Sequence, residues 1–273
     1  MKKATGIVLS LVLSASVLAA CGKKTEDSQA AAEDNKLVLG VTGGPHEEIA
    51  KKAAEVAKKD GLDVEIKAFS DYVLPNTSLV EGDLDANSFQ TLTFLANFNK
   101  EKNENLVSVG TTILTPMGLY SKKVKKLEDL KAGSTIAIPN DAANGDRALQ
   151  VLASKKVISL KDTGDKLATL KDIAENKNNF KFVELEASQL PRQLDEVDAA
   201  MINTNFVLEA GIDPKTALLR ENTDSPHINA IVVEESHKND ADVKKFVKAY
   251  HSETVKKFIE DEFDGAVIPV FDK

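Results

Sequence analysis

KLVLGVTGGPHEEIAKKAAEVAKKDGLDVEIKAF, residues 36–69, decides how this chain folds. Leu37–Val41 is a short apolar run of the kind that forms a buried strand. Thr42-Gly43-Gly44-Pro45 then turns the chain into a helix, in which Ile49, Ala53, Val56 and Ala57 recur at helical spacing. Leu62 to Phe69 alternates as a second strand. Further strands are expected at Leu106–Val109, Met117–Tyr120, Thr135–Ile138, Phe180–Leu185, Ala199–Ile202, Ala217–Arg220 and Ile228–Val233. Helices fill the gaps, including a long one near Ala241 to Ile259 carrying Val243, Phe246, Val247 and Val255 on its apolar side. Strands alternating with helices predict an α/β architecture with largely parallel sheets. A folded body of about 240 residues exceeds what one compact core usually spans, which favours two lobes.

The body is preceded by MKKATGIVLSLVLSASVLAAC, residues 1–21. Lys2 and Lys3 lead an uncharged run that ends in Leu18-Ala19-Ala20-Cys21, the layout of a secretory signal peptide. The run is too short and too rich in Ser and Ala to read as a membrane span, which needs about 20 predominantly apolar residues. Cys21 is the only cysteine in the chain, and it resembles the acylated cysteine of a bacterial lipobox. The reading is therefore a signal peptide over 1–20 and a mature chain starting at lipidated Cys21. Gly22 to Asn35 carries no large apolar side chain, so 21–35 is expected to be a flexible tether. The expected location is the extracytoplasmic face of the cell membrane, held there by lipid.

Composition narrows the class further. Residues 1–20 hold two lysines and no acid, so the formal net charge of -8 becomes -10 once they are removed. That argues against nucleic acid and against anionic lipid as partners. With one cysteine no internal disulfide can form. The absence of Trp and an aromatic content of 5% argue against an aromatic-lined sugar cleft. His46, His227, His237 and His251 are widely spaced, so no metal centre is expected, and no nucleophile–base motif or phosphate loop is present. Neither a cofactor nor a catalytic residue is expected.

A cleft between two α/β lobes would be lined from strand ends. Three strand ends carry polar residues: Asn140 and Asp141, Asn203 and Thr204, and His227 with Asn229. After Asn140 a new helix starts, bearing Asn144 and Arg147; free amides at its start favour an anion, and the guanidinium adds a two-pronged carboxylate contact. The alternative is that Asn140, Asp141 and Asn144 cap the helix, while Arg147 pairs with Asp146 or Asp141.

Many spaced segments resemble the NlpA-type, methionine-binding lipoproteins that feed methionine-uptake ABC importers. They include Ser70-Asp-Tyr-Val-Leu-Pro-Asn76, Gly82-Asp-Leu-Asp-Ala-Asn-Ser-Phe-Gln90, Ile138-Pro-Asn-Asp141, Gln189-Leu-Pro-Arg192, Ala200-Met-Ile-Asn-Thr204 and Asp224-Ser-Pro-His-Ile-Asn229. The resemblance implies a type II periplasmic-binding-protein fold: lobe 1 from 36–116 and 217–273, lobe 2 from 117–216, with crossovers near 114–118 and 208–218. It implies that Arg147 grips an amino-acid carboxylate from the cleft side, clear of a lobe core, that Asn144, Asn203 and Asn229 bind the backbone-like end, and that Tyr72 and Phe89 surround a thioether. Where such proteins commonly read Phe-Gln-His-x-x-Tyr, this chain reads Phe89-Gln90-Thr91-Leu92-Thr93-Phe94. Thr91 and Phe94 keep a wall but remove polar groups, so a methionine derivative, a short methionine peptide or another apolar amino acid also fits the reading.

The function expected is thus that of a monomeric, lipid-anchored solute-binding protein, whose partners are an amino-acid ligand and the membrane subunits of an importer. The contrasting class is a surface interaction lipoprotein, adhesive or partner-binding, with a vestigial cleft. The anchor is directly testable. One acyl chain binds a membrane only marginally and lipobox processing adds more than one, so Cys21→Ser is expected to move the protein from the membrane pellet to the soluble fraction on ultracentrifugation.

Overall fold

The computed structural model describes residues 35–271. The expected signal peptide, Cys21 and nearly all of the expected tether lie outside the described residues. Asn35, the last tether position, is already tied into the body: its carbonyl accepts from Asp63 N at 2.8 Å and its Oδ1 accepts from Lys245 Nζ at 3.0 Å.

The chain first runs β1 (Lys36–Thr42), α1 (Pro45–Lys59), β2 (Asp63–Phe69), α2 (Leu74–Val80), β3 (Ala86–Thr91), α3 (Leu92–Lys102) and β4 (Leu106–Leu114). It continues as β5 (Gly118–Tyr120), β6 (Thr135–Pro139), α4 (Ala142–Ser154), β7 (Ser159–Leu160), β8 (Ile173–Glu175), β9 (Lys181–Leu185), α5 (Leu190–Gln193), β10 (Ala199–Ile202), α6 (Thr204–Glu209) and β11 (Leu219–Arg220). It closes with β12 (Ile228–Glu234), α7 (Ala241–Tyr250), α8 (Glu253–Phe263) and β13 (Ile268–Pro269).

Two large sheets result. The first has the order β13-β4-β12-β3-β1-β2, the second β11-β5-β10-β6-β9, and β7 with β8 forms a small separate ribbon. The opening β1–α1–β2 unit pairs in parallel from Lys36 opposite Asp63 to Thr42 opposite Phe69, as the alternation over 36–69 requires. Parallel pairing is only part of each sheet, however. β12 runs antiparallel to both β3 and β4, and β5 runs antiparallel to both β10 and β11. The expectation of largely parallel sheets is corrected to mixed ones. Strand direction is set by how the chain returns between sheets, and apolar periodicity carries no record of it.

The inner strands β1, β10 and β12 read as continuous apolar runs because both faces of the sheet are covered there. In β1, Leu37, Leu39 and Val41 pack under α1, α7 and α8, while Val38 faces the cluster formed with α2 and α3. In β10, Ala199 and Met201 pack with α4 residues such as Leu149 and Leu152, and Ala200 and Ile202 face Leu190 and Phe206. The expected long C-terminal helix is two helices. Ser252 ends the first and caps the second, its Oγ accepting from Val255 N at 3.3 Å, as a serine just before an amphipathic turn is suited to do.

The chain passes from the first sheet to the second through 115–117 and returns through 221–227. The return therefore lies beyond the expected 208–218, because Leu219 and Arg220 still pair with Leu119 and Gly118. Residues 217–220 belong with the second sheet. The two crossings are bonded to each other: Glu221 N donates to Met117 O at 2.8 Å, and Met117 N donates to Glu221 Oε2 at 2.9 Å.

Two of the sequence segments that carry the resemblance meet in a buried amide triad. Asn76 and Gln90 exchange hydrogen bonds at 2.8 and 2.6 Å, and Asn87 Nδ2 donates to Asn76 Oδ1 at 2.9 Å while its Oδ1 accepts from Gln90 at 2.9 Å. The triad fixes the α2 start against β3. Asn76→Ala orphans buried amide groups on both partners, and is expected to lower the unfolding free energy by roughly 1–3 kcal/mol in urea titrations.

Candidate ligand pocket between the two sheets

Tyr72, Phe89, Thr91, Phe94, Asn144, Arg147, Asn203 and Asn229 all line one pocket between the sheets. His46, Gln90, Thr115 and Asn205 complete it. Asn140 does not reach it: that side chain is exposed and faces a separate open groove beside Leu92 and Asp141.

One side of the pocket is aromatic. Tyr72 has ring-centroid distances of 5.9 Å to Phe89, 5.9 Å to Phe94 and 4.9 Å to Phe206, and Phe89 meets Phe94 edge-on at 5.8 Å. Tyr72 and Phe89 come from the first sheet's half and Phe206 from the second, so the rings form a seam across the divide. Thr91 has a local task that explains a hydroxyl there: it caps α3, its Oγ1 accepting from Phe94 N at 3.1 Å.

The other side is a directed chain of amides. Asp141 caps α4, accepting from Asn144 N at 2.8 Å and from Asn144 Nδ2 at 3.0 Å on each carboxylate oxygen. With its amide nitrogen committed to the carboxylate, Asn144 presents Oδ1, which accepts from Asn203 Nδ2 at 2.8 Å. Asn203 in turn is left with a buried Oδ1 that has no hydrogen-bond partner in the protein. The chain thus conveys acceptor character from Asp141 into the pocket, where it suits a cationic donor. Burial raises the pKa of Asp141, and the Asn144 bonds oppose that shift.

Tyr72 sets the opposite polarity nearby. Its hydroxyl donates to Asn205 Oδ1 at 2.6 Å, which leaves Asn205 Nδ2 as a buried donor without a partner. His46 Nδ1 is a third such atom. His46 stands in the first turn of α1, as its position after Gly44-Pro45 suggests, but the turn also brings it against α6. Gly44 adopts φ +71, and a Cβ there would lie 3.1 Å from Asn205 O, so the close approach depends on glycine. Three buried polar atoms without a protein partner thus lie around this one pocket, a placement suited to a polar ligand.

Arg147 lines the pocket but is not the free clamp the sequence suggests. It is 2% exposed, and its charge is met by Glu221 rather than by Asp146 or Asp141. Nε donates to Glu221 Oε1 and Oε2 at 3.2 and 3.1 Å, and Nη2 donates to Glu221 Oε2 at 2.5 Å and to Thr115 O at 2.8 Å. Nη1 takes part in none of these bonds. Burial alone would raise the pKa of Glu221, but Arg147, Ser225 and Met117 N outweigh it and hold the carboxyl below its usual range. Asn229 is anchored by a bond of 3.1 Å from its Nδ2 to Ile113 O. Sequence reasoning missed Glu221, His46 and Asn205; only the run Ile202-Asn203-Thr204-Asn205 carried a hint, since a second asparagine follows the strand end.

Two α/β halves joined by two crossings, enclosing a pocket with a charged and polar end and an aromatic end, define a solute-binding protein of the type II periplasmic-binding-protein class. The chain belongs to the NlpA lipoprotein family, whose sequence profile matches residues 37–271. Among its relatives, the D-methionine-binding lipoprotein MetQ of Salmonella typhi is 44% identical over 255 residues, 92% of each chain. A nutrient-binding protein from Burkholderia cenocepacia, solved bound to methionine, is 45% identical with a TM-score of 0.84, covering 86% of this chain and 100% of that one. The substrate-binding protein of a methionine transporter from Streptococcus pneumoniae is 39% identical with a TM-score of 0.81, covering 86% and 96% of the two chains. Among the described residues no helix is long and apolar enough to cross a membrane, and no cluster of metal-ligating side chains occurs.

Burial lowers the pKa of His46 from 6.5 to about 4, and burial with the nearby Arg147 charge lowers that of His227 to about 4. The unfolded chain protonates both near 6.5, so between about pH 6.5 and 4 it holds more protons than the folded one. The stability contributed by these two histidines is therefore complete above about pH 6.5 and declines as pH falls toward 4. His46→Gln is expected to flatten that decline, by about 2 kcal/mol between pH 7 and 5 in urea titrations.

Proposed function

We propose that this protein is the lipid-anchored substrate-binding component of an ABC importer, and that it captures methionine or a closely related amino acid in the pocket described above. The observation that carries this reading is the set of three unpartnered buried atoms, His46 Nδ1, Asn203 Oδ1 and Asn205 Nδ2, grouped beside Arg147 and facing an aromatic wall. An α-amino acid supplies complementary groups. Its ammonium suits the acceptor of Asn203 at the end of the Asp141 chain. Its carboxylate suits Arg147 Nη1 and the Asn205 donor, and an apolar or thioether side chain suits the rings of Tyr72, Phe89 and Phe94. The relatives named for methionine support the choice of ligand. The family supports an extracytoplasmic, membrane-attached location, with Cys21 as the anchor.

Thr91 and Phe94 leave room in this reading for a methionine derivative or a short methionine peptide. Mass spectrometry of ligand released from the denatured, purified protein identifies which one is carried. Recovery of methionine or a methionine-containing compound is expected, and a compound with no amino-acid group would sink the reading.

Arg147 also serves the fold, so its removal has two effects. Arg147→Ala leaves Glu221 buried and unpaired, a loss of roughly 3–5 kcal/mol. The variant is expected to melt at a lower temperature without ligand and, in calorimetric titration, to bind the identified ligand at least about a hundredfold more weakly.

A further inference from the structure

We infer that Glu221 sets the charge class of the ligand, by holding Arg147 in place and neutralising it so that the pocket accepts a zwitterion and rejects a simple anion. The inference rests on the amino-acid reading above and deepens it.

Glu221 does not line the pocket; it stands behind Arg147 on the return crossing. From there it occupies the Nε and Nη2 side of the guanidinium, with Thr115 O sharing Nη2, and leaves Nη1 as the nitrogen outside these bonds. Its own position is fixed by further donors: Ser225 Oγ at 2.6 Å and Met117 N at 2.9 Å. A planar guanidinium held along one side cannot swing, so a ligand carboxylate meets a single pre-aimed edge. The pair is also electrically closed. Arg147 and Glu221 sum to zero, and burial keeps His46 and His227 neutral at pH 7. Asp141 is the acid whose acceptor character is relayed into the pocket, through Asn144 and Asn203. A ligand bearing only a carboxylate meets no net positive charge and leaves Asn203 Oδ1 without a donor. A ligand bearing both charges satisfies both ends. Glu221 is thus a positioning residue and a charge filter.

The test compares methionine with its des-amino analogue 4-(methylthio)butanoate by calorimetry at pH 7, in the wild-type protein and in Glu221→Gln. Gln retains the shape while removing the charge. Wild type is expected to prefer methionine, and in Glu221→Gln the ratio of the anion's Kd to methionine's Kd should fall at least about tenfold, since Arg147 then presents an uncompensated charge. A merely structural role for Glu221 would weaken both ligands alike, and an unchanged ratio overturns the inference while leaving the amino-acid reading intact. Wild-type protein that binds neither compound overturns the inference together with methionine as the ligand. Should Glu221→Gln not fold, the double variant Arg147→Gln/Glu221→Gln carries no lone buried charge. It is expected to bind both ligands more weakly at a ratio near the wild-type value, and a tenfold change in that ratio counts against charge balance as the filter.

Discussion

The Arg147–Glu221 pair is the constraint on which the site and the joint between the sheets both depend. Arg147 belongs to α4, in the second half, whereas Thr115 and Met117 lie on the outgoing crossing and Glu221 on the return. One buried ion pair therefore bonds to both crossings at once. A buried pair is weak evidence for stability by itself, since desolvation consumes much of its attraction, but losing one partner is severe. Here the partners also accept and donate to backbone, so the arrangement specifies one geometry for the joint. The aromatic seam adds area without direction, and the ion pair supplies direction.

Around that joint, two sheets give different chemistry to the pocket. The first contributes Tyr72, Phe89 and Phe94, positioned by β3, the α3 start and the amide triad of Asn76, Asn87 and Gln90. The second contributes α4, whose N-terminal turn is buried almost throughout and carries Asn144, Asp146 and Arg147. Burying that many polar side chains on one helix is tolerable only because each has a fixed partner. Asp146 illustrates it: away from the pocket, it accepts from Ala168 N at 2.7 Å.

Local order was legible in the sequence where short-range physics decides it. The strand–turn–helix–strand over 36–69, the strand ends at Ile138 and Ile202, and the helix that begins after Asn140 follow from periodicity and capping. Family resemblance then named most of the residues that line the pocket. What escaped depends on long-range encounters. Glu221 sits in a polar crossing with no periodic pattern, and its importance comes from Arg147, 74 positions away. His46 looked like an ordinary first-turn residue because nothing local announces that α6 packs against it. Asn140 looked like a site residue by its place at a strand end, yet the capping Asp141 after it turns the chain so that Asn144, one helical turn on, faces inward instead. The break at Ser252 was hidden because the apolar stripe continues across it from α7 to α8.

The amide chain from Asp141 through Asn144 to Asn203, together with Arg147, lies wholly in the second half, while most of the aromatic wall belongs to the first. For an amino acid held as proposed, this segregation divides the labour of recognition. Charged groups attract over several ångströms and need no tight fit, whereas apolar burial acts only at contact. Discrimination between charge states therefore rests mainly on the second half, and discrimination between side chains mainly on the first. One small molecule is read twice, by chemistry built on a different sheet each time.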